Sequence, residues 1–202
     1  ITPVRESFPE NLEKFNCIFL SGCVLSPYDD QKWIHDEHSF IQMIVGYEIP
    51  MLGICFGSQI LASALCGKNT VFRRSSCEAG VKEIILNSGI NDELISGIPG
   101  KIDMFVWHND EITADCDDMV VLAKSDECQN HIWRFRDKPI WGIQGHPELN
   151  YVQMISVLDN YGKYFLQAGV DIDRIRKQSV DNSDAIKLIR NFIHFSSTYG
   201  SR

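Results

Sequence analysis

Positive charge is scarce in this chain. Its 202 residues carry 19 Lys and Arg against 27 Asp and Glu, a formal net charge of −8. Binding to a phosphate backbone rests on clustered Lys and Arg, so nucleic acid is not expected as a partner. No apolar run approaches the roughly 20 residues that cross a bilayer, and no basic stretch followed by an apolar one opens the chain. A soluble, unexported, cytoplasmic protein without membrane contact is expected. Internal repeats, low-complexity tracts and linkers are also missing. With 44% hydrophobic residues the chain can bury one sizeable core, and one domain over residues 1–202 is expected. There is no initiator Met at Ile1, and a polar, proline-bearing lead-in precedes the first strand, so residues upstream of Ile1 are expected.

Close cysteine pairing is absent too. Cys17, Cys23, Cys55, Cys66, Cys77, Cys116 and Cys128 are odd in number and form no CxxC pair. Neither a disulfide framework nor a zinc site follows from that spacing. Reduced thiols, no metal and no cofactor are expected. No P-loop marks a nucleotide site.

What is present alternates. Cys17 to Leu20 reads as a strand, and the turn-rich stretch from Ser21 to Asp30 as a loop at its C-terminal end. Trp33, Phe40, Ile41, Ile44 and Val45 share one face of a helix over 33–45. Pro50 to Ile54 is a short apolar strand, Gln59 to Leu65 a helix, and Gly67 a helix stop. This strand, helix, strand, helix order is that of a parallel sheet with covering helices. Short strands then follow at 80–86, 102–107, 119–124, 131–136 and 139–143, so the sheet is expected to continue with antiparallel strands. Helical spacing returns from Tyr151 to Phe165 and from Ala185 to Ile193, with a partly helical, charged stretch over 171–184.

Two local patterns carry chemistry. Gly53-Ile54-Cys55-Phe56-Gly57 places a cysteine between glycines where a strand meets a helix. A nucleophile on such a sharp turn needs flanking glycines because side chains there would collide with nearby backbone. The helix N-terminus favours a thiolate, and the Phe56 N–H is placed to meet an oxyanion. Alone, the pattern also fits a buried structural cysteine. The second pattern, Gly142 to Glu148, ends a strand with His146-Pro147-Glu148. Pro147 stiffens the turn so that Glu148 can hold one imidazole nitrogen while the other faces a thiol. Alone, it also fits a surface turn. Taken together they nominate Cys55 as nucleophile, His146 as base and Glu148 as the group that orients the base. His35 and His38 fall on the polar side of the first helix, His131 opens a strand and His194 lies in the last helix. Structural roles are the simpler reading for these four.

Leu52 to Gln59 and Gly142 to Glu148 match the motifs LGICxGxQ and GxQxHPE, and on these the sequence resembles the class I glutamine amidotransferases from about Cys17 to Tyr151. The resemblance implies an α/β fold with an open mixed, mainly parallel sheet flanked by helices in a flavodoxin-like three-layer arrangement. It implies attack of Cys55 on the side-chain amide of glutamine, loss of ammonia, and hydrolysis of a thioester to glutamate. It places Gln59, Gln144 and Gly22 at the substrate. The family's SGGPGS loop stands here as Ser21-Gly22-Cys23-Val24-Leu25-Ser26, so the backbone N–H of Cys23 takes the place of the second glycine's oxyanion donor. Phe105 to Glu111 resembles an H-x-D-E-V segment that brings His108 and Asp110 to the pocket.

Three functions stay open on this resemblance. The chain is an amidotransferase subunit supplying a separate synthetase, a free-standing γ-glutamyl hydrolase or peptidase, or a binding or regulatory module with an impaired site. The Ser21 to Trp33 stretch looks more like the stand-alone, γ-glutamyl peptidase-like members. A serine-hydrolase relationship is disfavoured because the acid follows the base.

Overall fold

The computed structural model describes residues 7–113, 116–179 and 181–199. Seven strands, β1 (Ile18–Leu20), β2 (Met51–Ile54), β3 (Val71–Leu86), β4 (Lys101–Ile112), β5 (Met119–Lys124), β6 (Ile132–Phe135) and β7 (Ile140–Ile143), form one sheet. Their order is β1-β2-β7-β6-β5-β3-β4. Among the described residues five α-helices accompany them: α1 (Lys32–Ile44), α2 (Phe56–Cys66), α3 (Tyr151–Gln167), α4 (Ile172–Arg176) and α5 (Ala185–Tyr199).

The expected mixed α/β sheet with covering helices is present. Parallel pairing joins β1, β2 and β7. All remaining pairings are antiparallel, so the antiparallel share is larger than the opening alternation suggested. The strands β2 and β7 are buried at every residue and therefore read as continuous apolar runs. Their side chains alternate between faces. Met51 and Ile140 pack with Ile41 and Ile44 of α1 and Ile60 and Leu61 of α2, while Leu52 and Trp141 pack with Leu188 and Phe192 of α5. A third cluster joins Phe105 of β4 to Met154, Leu158 and Phe165 of α3 and Ile175 of α4. Asn150 starts α3 with a capping box shared with Gln153.

Three expectations change. The strand read from Gly80 begins at Val71, and its partner runs on to Ile112. The exposed Arg73, Ser75 and Ser76 hide the apolar alternation in that arm. His38 is buried, not on a polar face, and its Nε2 lies 3.2 Å from the Pro27 carbonyl oxygen. The thiols are not all reduced: Cys66, at the end of α2, is disulfide-bonded to Cys116, with Cα atoms 5.7 Å apart. The two are 50 positions apart in sequence, a spacing that carries no pairing signal. The inference from free thiols to a reducing compartment loses its ground accordingly. Among the described residues no helix is long and apolar enough to cross a membrane.

Candidate active site

Strand β2 stops at Ile54 and α2 starts at Phe56, leaving Cys55 alone in the turn with φ 54° and ψ −112°. An L-residue is strained there, and the surrounding structure has to enforce it. The Cys55 N–H donates to the Ile143 carbonyl of β7 at 2.8 Å. A Cβ added at Gly53 would fall on the backbone of Gly57, and one at Gly57 would fall on the Leu20 carbonyl of β1. Both glycines are needed because the first turn of α2 is pressed onto the strand ends. In that turn the Phe56 N–H has no acceptor within its own helix. The Cys55 thiol is 3.5 Å from the Trp107 carbonyl, and the side-chain amide of Gln144 points at its sulfur from 3.9 Å. A thiol donates to the first; a thiolate accepts from the second.

His146 leaves β7 and is drawn back to β4, where its N–H donates to the Phe105 carbonyl at 2.8 Å. Its Nδ1 lies 2.8 Å from Glu148 Oε1. Burial alone would lower the imidazole pKa. Hydrogen bonds to Cys55 and Glu148, with the negative charges of both, outweigh burial and raise it to about 10. The imidazolium form of His146 is therefore favoured beside Cys55 and Glu148.

Around this pair lies a cavity of about 500 Å³, lined among others by Gly22, Cys23, Cys55, Gln59, His146 and Glu148. That volume is typical of a small-molecule site. A Cβ at Gly22 would lie 3.3 Å from His146 Cε1 and 3.6 Å from Cys55 Cβ, so the Ser21 to Leu25 loop borders both side chains. Three nominated residues are placed less simply. The Phe56 side chain lines a separate apolar cavity of about 430 Å³ across that loop. Gln144 is fully buried behind the thiol, its amide shared between Cys55 and Gln59, at 3.2 Å from the latter. His108 borders the cavity, but its nitrogens are engaged with the Asp110 carbonyl and Glu78.

Asp110 forms the polar floor. Its carboxylate accepts from Ser26 Oγ at 2.6 Å and Tyr28 Oη at 2.5 Å, and Arg73 lies 3.4 Å away. Its carbonyl accepts from Gln59 Nε2 at 2.9 Å. Sequence reasoning missed Trp107, Arg73, Tyr161 and Tyr164. The two tyrosines line the cavity from α3, and only the helical spacing of α3 hinted that one face would turn inward.

A strained cysteine at a strand-to-helix turn, facing a carboxylate-held histidine beyond the C-terminal ends of the parallel strands, is the arrangement of cysteine hydrolases on open α/β folds. Comparison with known proteins narrows that class. The chain belongs to the glutamine amidotransferase class-I family, whose model matches residues 1–161. It is 32% identical over 145 residues to a glutamine-hydrolyzing GMP synthase subunit from Methanopyrus kandleri, covering 71% of this chain and 75% of that one. The corresponding subunit from Methanococcoides burtonii is 29% identical over 128 residues, and the chain spans 64% of its length. In fold it resembles a glutamine amidotransferase from Thermotoga maritima, with TM-score 0.80 and 24% identity over 96% of this chain and 84% of that one.

Proposed function

We propose that this chain, acting as one domain, hydrolyses the side-chain amide of glutamine through a thioester on Cys55 and passes the ammonia to a separate synthetase. The observation that carries the reading is the strained Cys55 bonded to a His146 whose charge Glu148 supports. Glutamine is the substrate class because the chain belongs to the class I family. The synthetase partner follows from the relatives named as glutamine-hydrolyzing GMP synthase subunits.

In this mechanism the Cys55 thiolate adds to the amide carbon and pushes charge onto its oxygen. The Phe56 N–H, supported by the α2 dipole, and the Cys23 N–H across the loop meet that oxyanion. When the tetrahedral adduct collapses, the C–N bond breaks and imidazolium His146 gives its proton to the leaving nitrogen, releasing ammonia. The neutral imidazole next takes a proton from water, which attacks the thioester. Expulsion of the thiolate frees glutamate and restores the starting pair. Glu148 changes no bonds and holds the ring in register.

A second reading, a γ-glutamyl peptidase, is favoured by one feature: the Trp107, Tyr161 and Tyr164 wall gives the cavity an apolar side suited to a larger leaving group. One assay separates them. Purified protein is offered glutamine and a panel of γ-glutamyl peptides, with ammonia and glutamate measured independently. Equimolar ammonia and glutamate from glutamine supports the amidase. Glutamate without ammonia, released only from the peptides, supports the peptidase and sinks the glutamine reading.

A further inference from the structure

We propose that Glu78, His108, Cys128 and His131 form a tetrahedral site for a divalent transition-metal ion, zinc by the chemistry of its donors, beneath the floor of the active-site cavity. All four residues are buried, and one ligand atom from each lies within 4.8 Å of the others. Two imidazoles, a thiolate and a carboxylate form a donor set suited to zinc. The residues come from β3, β4, the β5–β6 connection and the position before β6, so no local spacing announces them. This is why the absence of a CxxC pair pointed to no metal.

Two independent features ask for a cation here. The first is His108, whose Nδ1 lies 2.9 Å from the Asp110 carbonyl oxygen and whose Nε2 lies 2.8 Å from Glu78 Oε2. Both neighbours are acceptors, so the ring meets both either as an imidazolium with two N–H groups, or as a neutral imidazole with a single N–H and a cation at the other nitrogen. If the carbonyl takes that single N–H, the Nε2 lone pair faces a carboxylate oxygen, a contact that a cation between them converts into attraction. The second is His131. It is completely buried, and among the described residues neither ring nitrogen has a hydrogen-bond partner. Glu78 Oε1 lies 3.7 Å from its Nε2, beyond hydrogen-bond reach. The two rings meet edge to face at 87°, with centroids 6.0 Å apart.

The geometry is within reach of a metal. Zn–N and Zn–O bonds of about 2.0 Å and a Zn–S bond of about 2.3 Å hold tetrahedral ligands roughly 3.3 to 3.5 Å apart, so a pair at the 4.8 Å limit must close by about 1.3 Å and the 2.8 Å His108–Glu78 pair must open by about 0.5 Å. Outer contacts already orient the donors. The Asp110 carbonyl holds His108, and Ser125 Oγ both donates to Glu78 Oε1 at 3.4 Å and accepts from the Cys128 N–H at 3.0 Å. Arg74 lies 3.9 Å from the carboxylate but bonds to Glu111 and the Glu127 carbonyl. Cys128 binds as thiolate and releases its proton to solvent.

Four protein ligands leave no open position, so the site is structural. It ties the β3–β4 arm to the β5–β6 connection, and the Asp110 carbonyl continues through Gln59 and Gln144 to Cys55. None of the four side chains takes part in the reaction proposed above, and the inference stands whether or not that reading does.

The test uses the untagged full chain, stripped with a chelator, titrated with zinc against a chromophoric competitor and separately with cobalt(II). One equivalent of zinc per chain, a tetrahedral cobalt spectrum with a thiolate charge-transfer band, and a zinc-dependent rise in melting temperature are expected. All three should persist in Cys55→Ala. Cys128→Ser and His131→Gln should each weaken zinc by at least about 100-fold, the upper end of what outer-shell changes alone cause, and Cys128→Ser should erase the thiolate band. Should either variant fail to fold, the cobalt spectrum of Cys55→Ala decides alone. No bound equivalent, an octahedral spectrum, or a thiolate band lost in Cys55→Ala overturns the proposal.

Discussion

The parallel and antiparallel parts of the sheet handle polar groups in opposite ways. In β1, β2 and β7 each strand has three or four residues, and the groups of the proposed site, Cys55 and His146, lie past the strand ends. In the β3–β4 arm and the β5–β6 connection, Glu78, His108, Ser125 and His131 are buried within the fold. The parallel edge relies on backbone strain: φ 54° at Cys55 is imposed by close packing of Gly53 and Gly57 on neighbouring backbone. The antiparallel region relies on side-chain contacts that span 30 and 47 positions, from His108 and Ser125 to Glu78. Strain at a strand end presents one side chain, Cys55, to a cavity, whereas a buried network holds the floor beneath it.

Substitutions on the parallel side should have the largest effect on turnover and little on folding. Cys55→Ala and His146→Ala should each lower glutamine hydrolysis by at least about 10⁴-fold, and Glu148→Ala by roughly two orders of magnitude less than Cys55→Ala. Steady-state glutamate release, with circular dichroism to confirm folding, checks this. Equal losses for all three would show that Glu148 serves the fold.

Between the two regions, the Cys66–Cys116 bond ties the end of α2 to the segment before β5. Closing a loop across a separation of 50 residues constrains the unfolded chain, so Cys116→Ala should lower unfolding stability by about 2–4 kcal/mol. Denaturant melts with and without reductant measure it, and the variant should be insensitive to reductant. Gly57→Ala tests the packing that enforces the strain. Its Cβ would meet the Leu20 carbonyl, and a loss of about 2–3 kcal/mol is expected.

The smallest effect falls on the apolar cavity, where burial pushes the Glu37 carboxyl from 4.5 up to about 7. A carboxyl raised in the folded state holds a proton there that the unfolded chain has released. Stability should therefore fall as pH rises from about 4.5 to about 7 and level off above. Glu37→Gln should remove that slope in urea melts at pH 5 and pH 8; an unchanged slope would assign the effect to another group.

Much of the parallel region was legible because its information is local. Leu52 to Gln59 and Gly142 to Glu148 each state a strand end, a turn and a candidate catalytic group within eight residues. The structure brings the two together because β2 and β7 are adjacent, as parallel pairing of apolar runs allows. The antiparallel region was legible only as short strands. Its polar cluster draws on residues up to 53 positions apart, Glu78 to His131, and neither residue type nor spacing marks them as neighbours. The disulfide escaped for the same reason. Gln144 stood in the motif as a substrate group, yet its burial behind the thiol depends on β7 lying in the middle of the sheet.

The most direct test of the central claim is mass spectrometry of the protein after reaction with diazo-oxonorleucine, a glutamine-like electrophile. One adduct per chain, on Cys55, with parallel loss of glutamate release and protection by glutamine, is the expected result. An adduct on another residue, or full turnover with Cys55 modified, would contradict the account.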